Sequence, residues 1–189
     1  MPWLKKGTCG WLFLALALWP AAVPAAEFSA QMLTRVRNAT VPGRILVKDG
    51  KMRQEFNDAE GRTITILRLD KKMVWVLLPR TRTYMEMPLK LKWPGQFIQI
   101  PPDARTKRLV GNERVGGYDA QKYEVGVVSR EGMERQIYWL PAKLGVPIKM
   151  EVPARHFSIE YKDIKEGPVA DRLFEIPPGY EKVSKPDLD

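Results

Sequence analysis

Residues 62–87 read RTITILRLDKKMVWVLLPRTRTYMEM, and the spacing of their apolar side chains predicts three consecutive β-strands. Ile64, Ile66, Leu67 and Leu69 fill the first, Met73 to Leu78 form a continuous apolar second, and Tyr84, Met85 and Met87 carry the third. Asp70-Lys71-Lys72 and Pro79-Arg80-Thr81-Arg82 read as charged turns. The short spacing of these breaks, the β-branched residues and Pro79, which lacks an amide donor, argue against a helix. With Pro79–Arg82 as the loop, Leu78 pairs with Thr83, Val76 with Met85 and Val74 with Met87, which makes one wholly apolar face. The reverse face pairs Leu77 with Tyr84 and Trp75 with Glu86. It is mixed, so the expectation is a sheet with one face to bury.

Upstream, Lys5 and Lys6 precede an uncharged run from Gly10 to Trp19, small residues and then Glu27. This is the layout of a secretory signal peptide cleaved near Ala26, and the run is short of the ~20 residues of a spanning helix. The expected organisation is a signal peptide over 1–26 and a single β domain over 27–189. Cys9, the only cysteine, lies in the leader, so the mature chain offers no disulfide, thiol nucleophile or cysteine metal site. Losing Lys5 and Lys6 leaves 29 Lys and Arg against 22 Asp and Glu, a net charge of +7. For an exported protein that favours anionic head groups or acidic partners over nucleic acid.

Between Glu27 and Arg37 two periods compete. Phe28, Ala30 and Met32 alternate as in a strand, whereas Phe28, Met32 and Val36 suit a helix entered at Ser29, and the sequence leaves both open. Asp49-Gly50 then predicts a two-residue hairpin turn that sets Val47 opposite Met52, Ile45 opposite Gln54, Arg44 opposite Glu55 and Leu46 opposite Arg53. Prolines 88, 94, 101 and 102 interrupt Leu89, Leu91, Trp93, Phe97, Ile98 and Ile100. That stretch is expected to fold over the sheet, as a mobile lid or as a packed crossover. Strands return over 105–110, 118–128, 133–140, 147–152 and 155–163, giving about ten, antiparallel and meandering, with no βαβ spacing.

Catalytic groups are sparse. His156 is the only histidine and starts a strand, and Glu124, Glu134, Glu151 and Glu160 each occupy a solvent-facing parity. Phosphate-binding glycine loops are absent, and Asn38-Ala39-Thr40 matters as a glycosylation acceptor only in a eukaryotic secretory pathway. The residues imply no enzyme, cofactor or metal.

The order LRLDKKMVWVLLP, TYMEM, GNERVGGYDAQKYEV, LGVPIKME and LFEIPPGYEKV resembles the LolA and LolB superfamily of exported lipoprotein carriers and acceptors. The resemblance implies a strongly curved, half-open antiparallel barrel whose apolar concave face, covered by a loop or short helices, accepts acyl chains. In those carriers an arginine of an Arg-Pro pair helps hold the lid closed. The matching place here reads Lys48-Asp49-Gly50, which makes Lys48 the lid-control candidate, though with a point charge in place of a forked donor.

The predicted ligand-binding set on the apolar face and lid is Met52, Phe56, Ile64, Ile66, Val74, Val76, Met85, Met87, Trp93, Phe97, Trp139, Met150, Phe157 and Ile159. Methionine and aromatic side chains suit a flexible apolar ligand, and they equally suit an ordinary core. The expected function is a periplasmic protein binding lipid or an acylated lipoprotein. The rival is an envelope protein that binds another protein through its sheet edge or basic surface. A cavity beneath 88–102 favours the first, tight packing there the second.

Overall fold

Twelve strands make one sheet in the computed structural model, which describes residues 26–58, 61–92, 95–129 and 131–184. The first group is β1 (Glu27–Val36), β2 (Ala39–Lys48), β3 (Lys51–Asp58), β4 (Gly61–Arg68), β5 (Met73–Leu78) and β6 (Thr83–Pro88). The second is β7 (Thr106–Val115), β8 (Tyr118–Ser129), β9 (Gly132–Pro141), β10 (Lys149–Val152) and β11 (Phe157–Glu166), followed by a short β12 (Glu181–Lys182). Each group is an antiparallel meander. They join where β1 pairs with β11, giving the order β12-β6-β5-β4-β3-β2-β1-β11-β10-β9-β8-β7. Only β12, on β6, is parallel. The predicted signal peptide falls on residues outside the described ones, apart from Ala26.

The predicted registers hold. Leu78 lies opposite Thr83, Val76 opposite Met85 and Val74 opposite Met87; Val47 lies opposite Met52 and Leu46 opposite Arg53. Asp49 and Gly50 both have positive φ (46° and 72°), the geometry of a type I′ turn that matches strand twist. The stretch left open between Glu27 and Val36 is β1, because Phe28, Ala30 and Met32 alternate into the core. The count rises from about ten to twelve through β1 and β12. Strand β7 also runs on to Val115, past a register shift between Leu109 and Gly111.

Curvature follows from the core. Val74 on β5 and Val125 on β8 belong to one cluster with Phe28, Met32, Met52, Tyr138, Met150 and Tyr161. In a flat sheet β5 and β8 would be eight strand spacings, roughly 38 Å, apart. The sheet therefore curls about this face without closing, β7 and β12 remaining its edges. At Gly43 a Cβ would sit 2.7 Å from the Glu55 carbonyl oxygen, so only glycine fits where β2 closes over β3 there.

The expectation of one buried face is corrected. Leu46, Ile64, Ile66, Trp75 and Leu77 form a second core on the convex side beneath Val169, Leu173, Phe174, Ile176 and Tyr180. Strand β5 is apolar on both parities, and the C-terminal strap supplies the layer that buries its second one together with Ile64 and Ile66 of β4. Arg53 donates to the Leu173 carbonyl (2.9 Å), Arg68 to the Phe174 carbonyl (3.1 Å) and Lys48 to the Val169 carbonyl (3.1 Å).

Candidate binding face

Residues 89–92 and 95–104 pack on the concave face of the sheet. Phe97 and Ile98 are fully buried at its centre, with Leu89, Leu91, Ile100 and Ala104 packed around them. Phe97 stacks on Tyr161 with ring centroids 5.5 Å apart. Prolines keep this stretch from joining the sheet, so its backbone polar groups need other partners. Gln54 Nε2 donates to the Gly95 carbonyl (2.9 Å), and Gln136 Nε2 donates to the Lys92 carbonyl (3.0 Å). The ends are tied by Leu89 N to the Lys72 carbonyl (3.0 Å) and Arg105 N to the Gly126 carbonyl (2.8 Å).

A polar chain holds Gln136 in place. Its Oε1 accepts from the Tyr138 hydroxyl (2.6 Å), and its Nε2 also reaches Glu134 (2.7 Å), which Arg155 clamps from outside. Glu134 is buried, contrary to the solvent-facing parity expected of it; it lies opposite Val127 on the concave side. Burial pushes the Tyr161 hydroxyl pKa well above the ordinary phenol value, and that of Tyr138 likewise, with the nearby Glu134 charge adding to it.

Most of the predicted site residues converge here. Met52, Val74, Phe97, Met150 and Ile159 are buried in the concave cluster, and Phe56, Val76, Met87 and Phe157 pack against it half-buried. Met85 shares their parity opposite Val76. Trp93 lies outside the described residues.

Three assignments to the concave face are corrected. Ile64 and Ile66 point to the convex face, because they alternate with Leu67, which lies opposite Val74 on the concave side. Trp139 has the opposite parity to inward-facing Tyr138 and is buried at 1% exposure beside Lys122 and Lys149, whose ammonium groups sit 4.8 and 4.1 Å from its ring centroid. Lys48 is bonded on the convex side, away from Val47 and the concave cluster. It ties the strap, through Val169, Asp171 (3.1 Å) and Glu27 (3.3 Å). Its hydrogen bond to Asp171 raises its pKa against the opposing effect of burial.

The residues sequence reasoning missed are the polar ones. The hairpin register puts Gln54 on the Met52 face, and a lone amide on an apolar parity was the available signal. Gln136 alternates in the same way between Glu134 and Tyr138. Together they put two amide donors on a concave surface that is mostly apolar, beside the Tyr138 hydroxyl and the Glu134 carboxylate.

No known protein family and no curated protein matches the chain by sequence. Solved structures do match. An uncharacterized conserved protein from Thermus thermophilus aligns over 85% of this chain and 91% of its own, with 16% identity and a TM-score of 0.56. MucB aligns over 83% of this chain with 17% identity and a TM-score of 0.50; the chain spans 59% of MucB's length. These likenesses establish a shared fold, the open curved sheet that the resemblance to the LolA and LolB superfamily implied. Among the described residues no helix is long and apolar enough to cross a membrane.

Proposed function

We propose that this protein is a periplasmic, non-enzymatic binder of acyl chains, with the concave face as its site and residues 89–104 as a displaceable cover. The observation that carries the reading is how the cover is held. Two apolar side chains, Phe97 and Ile98, fill the centre of the face, and among the described residues Gln54 and Gln136 bond its carbonyls between the tied ends without strand pairing.

The magnitudes favour a long chain. Burial of Phe97 and Ile98 is worth roughly 3–6 kcal/mol together, and two neutral hydrogen bonds add about 1–3 kcal/mol. An inserted chain gains about 0.8 kcal/mol per methylene, so it matches the cover at about five to eleven methylenes and exceeds it beyond that. Short-chain ligands therefore leave the cover shut.

The rival reading, a closed core with a protein partner at the sheet edge, is the one that the tight packing of Phe97 and Ile98 favours, because no opening lies beneath them among the described residues. Titration of delipidated protein with fatty acids of 8 to 18 carbons, read by native mass spectrometry, separates the two. Saturable binding that begins near 12 carbons supports the acyl reading. No binding at any length leaves the protein-partner reading standing.

A further inference from the structure

We infer that Gln54 and Gln136 select ligands bearing an acyl carbonyl, an ester or amide linkage next to the chain, over chains without one; this rests on the concave-face reading above. Both amides are buried, Gln54 at 4% exposure and Gln136 at 0%, on a face whose other side chains are mostly apolar. Each spends an N–H on a backbone carbonyl of the cover, at Gly95 and Lys92. When the cover lifts, those N–H groups lose their acceptors inside an apolar surface, and a buried donor without a partner is costly. A ligand that returns an sp² carbonyl oxygen restores the bond, an ether oxygen restores it only as a weaker acceptor, and a plain hydrocarbon does not restore it. The two acceptors are three residues apart in the cover, so they lie no more than roughly 10 Å from one another, within the linkage region of one two-chain lipid.

Thr34 supplies an independent sign. It is buried on β1 in the parity of Met32, opposite Ile159, and its Oγ1 has no hydrogen-bond partner among the described residues. Buried hydroxyls are rarely left so. It stands on the same concave face as the two glutamines.

The test compares dipalmitoyl phosphatidylglycerol, its dialkyl ether analogue and an N-palmitoyl peptide, each titrated into delipidated protein beginning at Ala26, a chain that retains all twelve strands. The diester or the N-acyl peptide, or both, is expected to bind at least tenfold more tightly than the diether, and which of them does so identifies ester or amide as the linkage. In Gln54→Leu, which leaves the Tyr138–Gln136–Glu134 chain intact, that preference should fall at least threefold; Gln136→Leu serves as a second variant. Loosening of the cover alone would instead raise affinity for all three ligands by the same factor. Equal binding of diester, N-acyl peptide and diether by the unaltered protein overturns the carbonyl selection while leaving acyl binding in place. Binding of none of them overturns both.

Discussion

Phe97 lies over Tyr161 with its ring plane 29° from parallel, joining the strandless cover to the centre of the sheet. Deleting a buried phenylalanine ring ordinarily costs about 3–5 kcal/mol. The cover, however, is held between its ends by apolar packing and, among the described residues, by side-chain bonds from Gln54 and Gln136 rather than strand pairing, and it is expected to open below the free energy of global unfolding. Phe97→Ala should therefore lower global stability by only about 2 kcal/mol in denaturant melts. It should also accelerate hydrogen exchange at amides 95–104 while leaving β1 and β11 protected. Uniform acceleration across the sheet would mean that the cover is part of the cooperative core.

Both sheet faces are buried where β4 and β5 run, and a charge on either should be destructive there. Val74→Asp places a carboxylate under the cover, and Ile66→Asp places one under the strap; each should cost several kcal/mol. Thr81→Asp, in the exposed β5–β6 turn, should change stability by less than about 0.5 kcal/mol. An Ile66→Asp variant as stable as Thr81→Asp would show that the convex layer contributes little.

What the sequence disclosed and what it hid divide along one physical line. Turn chemistry at Asp49-Gly50 and Pro79–Arg82 specifies local register, and a period of two then decides which residues share a face, so Met52, Val74, Val76 and Met87 could be grouped correctly. Parity does not say which face an element distant in sequence will cover. Ile64 and Ile66 fall into the wrong set because the strap that covers them lies about 100 residues downstream. The same distance hid the task of Lys48, whose partners Val169 and Asp171 lie 121 and 123 residues away. Gln54 and Gln136 stood on known parities, but their acceptors are carbonyls of a stretch with no periodic pattern.

The strap hangs on buried guanidinium groups. Arg68 donates to Asp70 (2.7 and 2.9 Å), to Glu175 (2.5 Å) and to the Phe174 carbonyl. Arg68→Met keeps much of the side-chain volume and leaves the Phe174 carbonyl without its donor, a loss of about 1–3 kcal/mol. Because Asp70 and Glu175 are half exposed, water can take over their pairing, and little is added from them. Limited proteolysis should then cut within 168–180 in the variant before it cuts the sheet. Cleavage patterns identical to those of the unaltered protein would contradict this role.

The same network sets an acid limit. The Arg68 hydrogen bond holds the Asp70 carboxyl down at about 2, and the Lys51 and Lys48 hydrogen bonds lower Asp171. Burial raises Glu55, but the Arg53 and Arg62 guanidiniums outweigh it and leave the group lowered. A carboxyl whose folded pKa lies below its unfolded value binds fewer protons in the folded state. Its contribution is complete above the unfolded value, near 4, and disappears as pH falls through the folded one. Stability should therefore be level above about pH 5 and decline between pH 4 and pH 2. In Arg68→Met, Asp70 returns toward its ordinary value, so the decline should be shallower. Urea melts of both proteins at half-unit steps from pH 2.5 to 7 test this, and parallel pH profiles would remove Arg68 and Asp70 as the origin of the acid sensitivity.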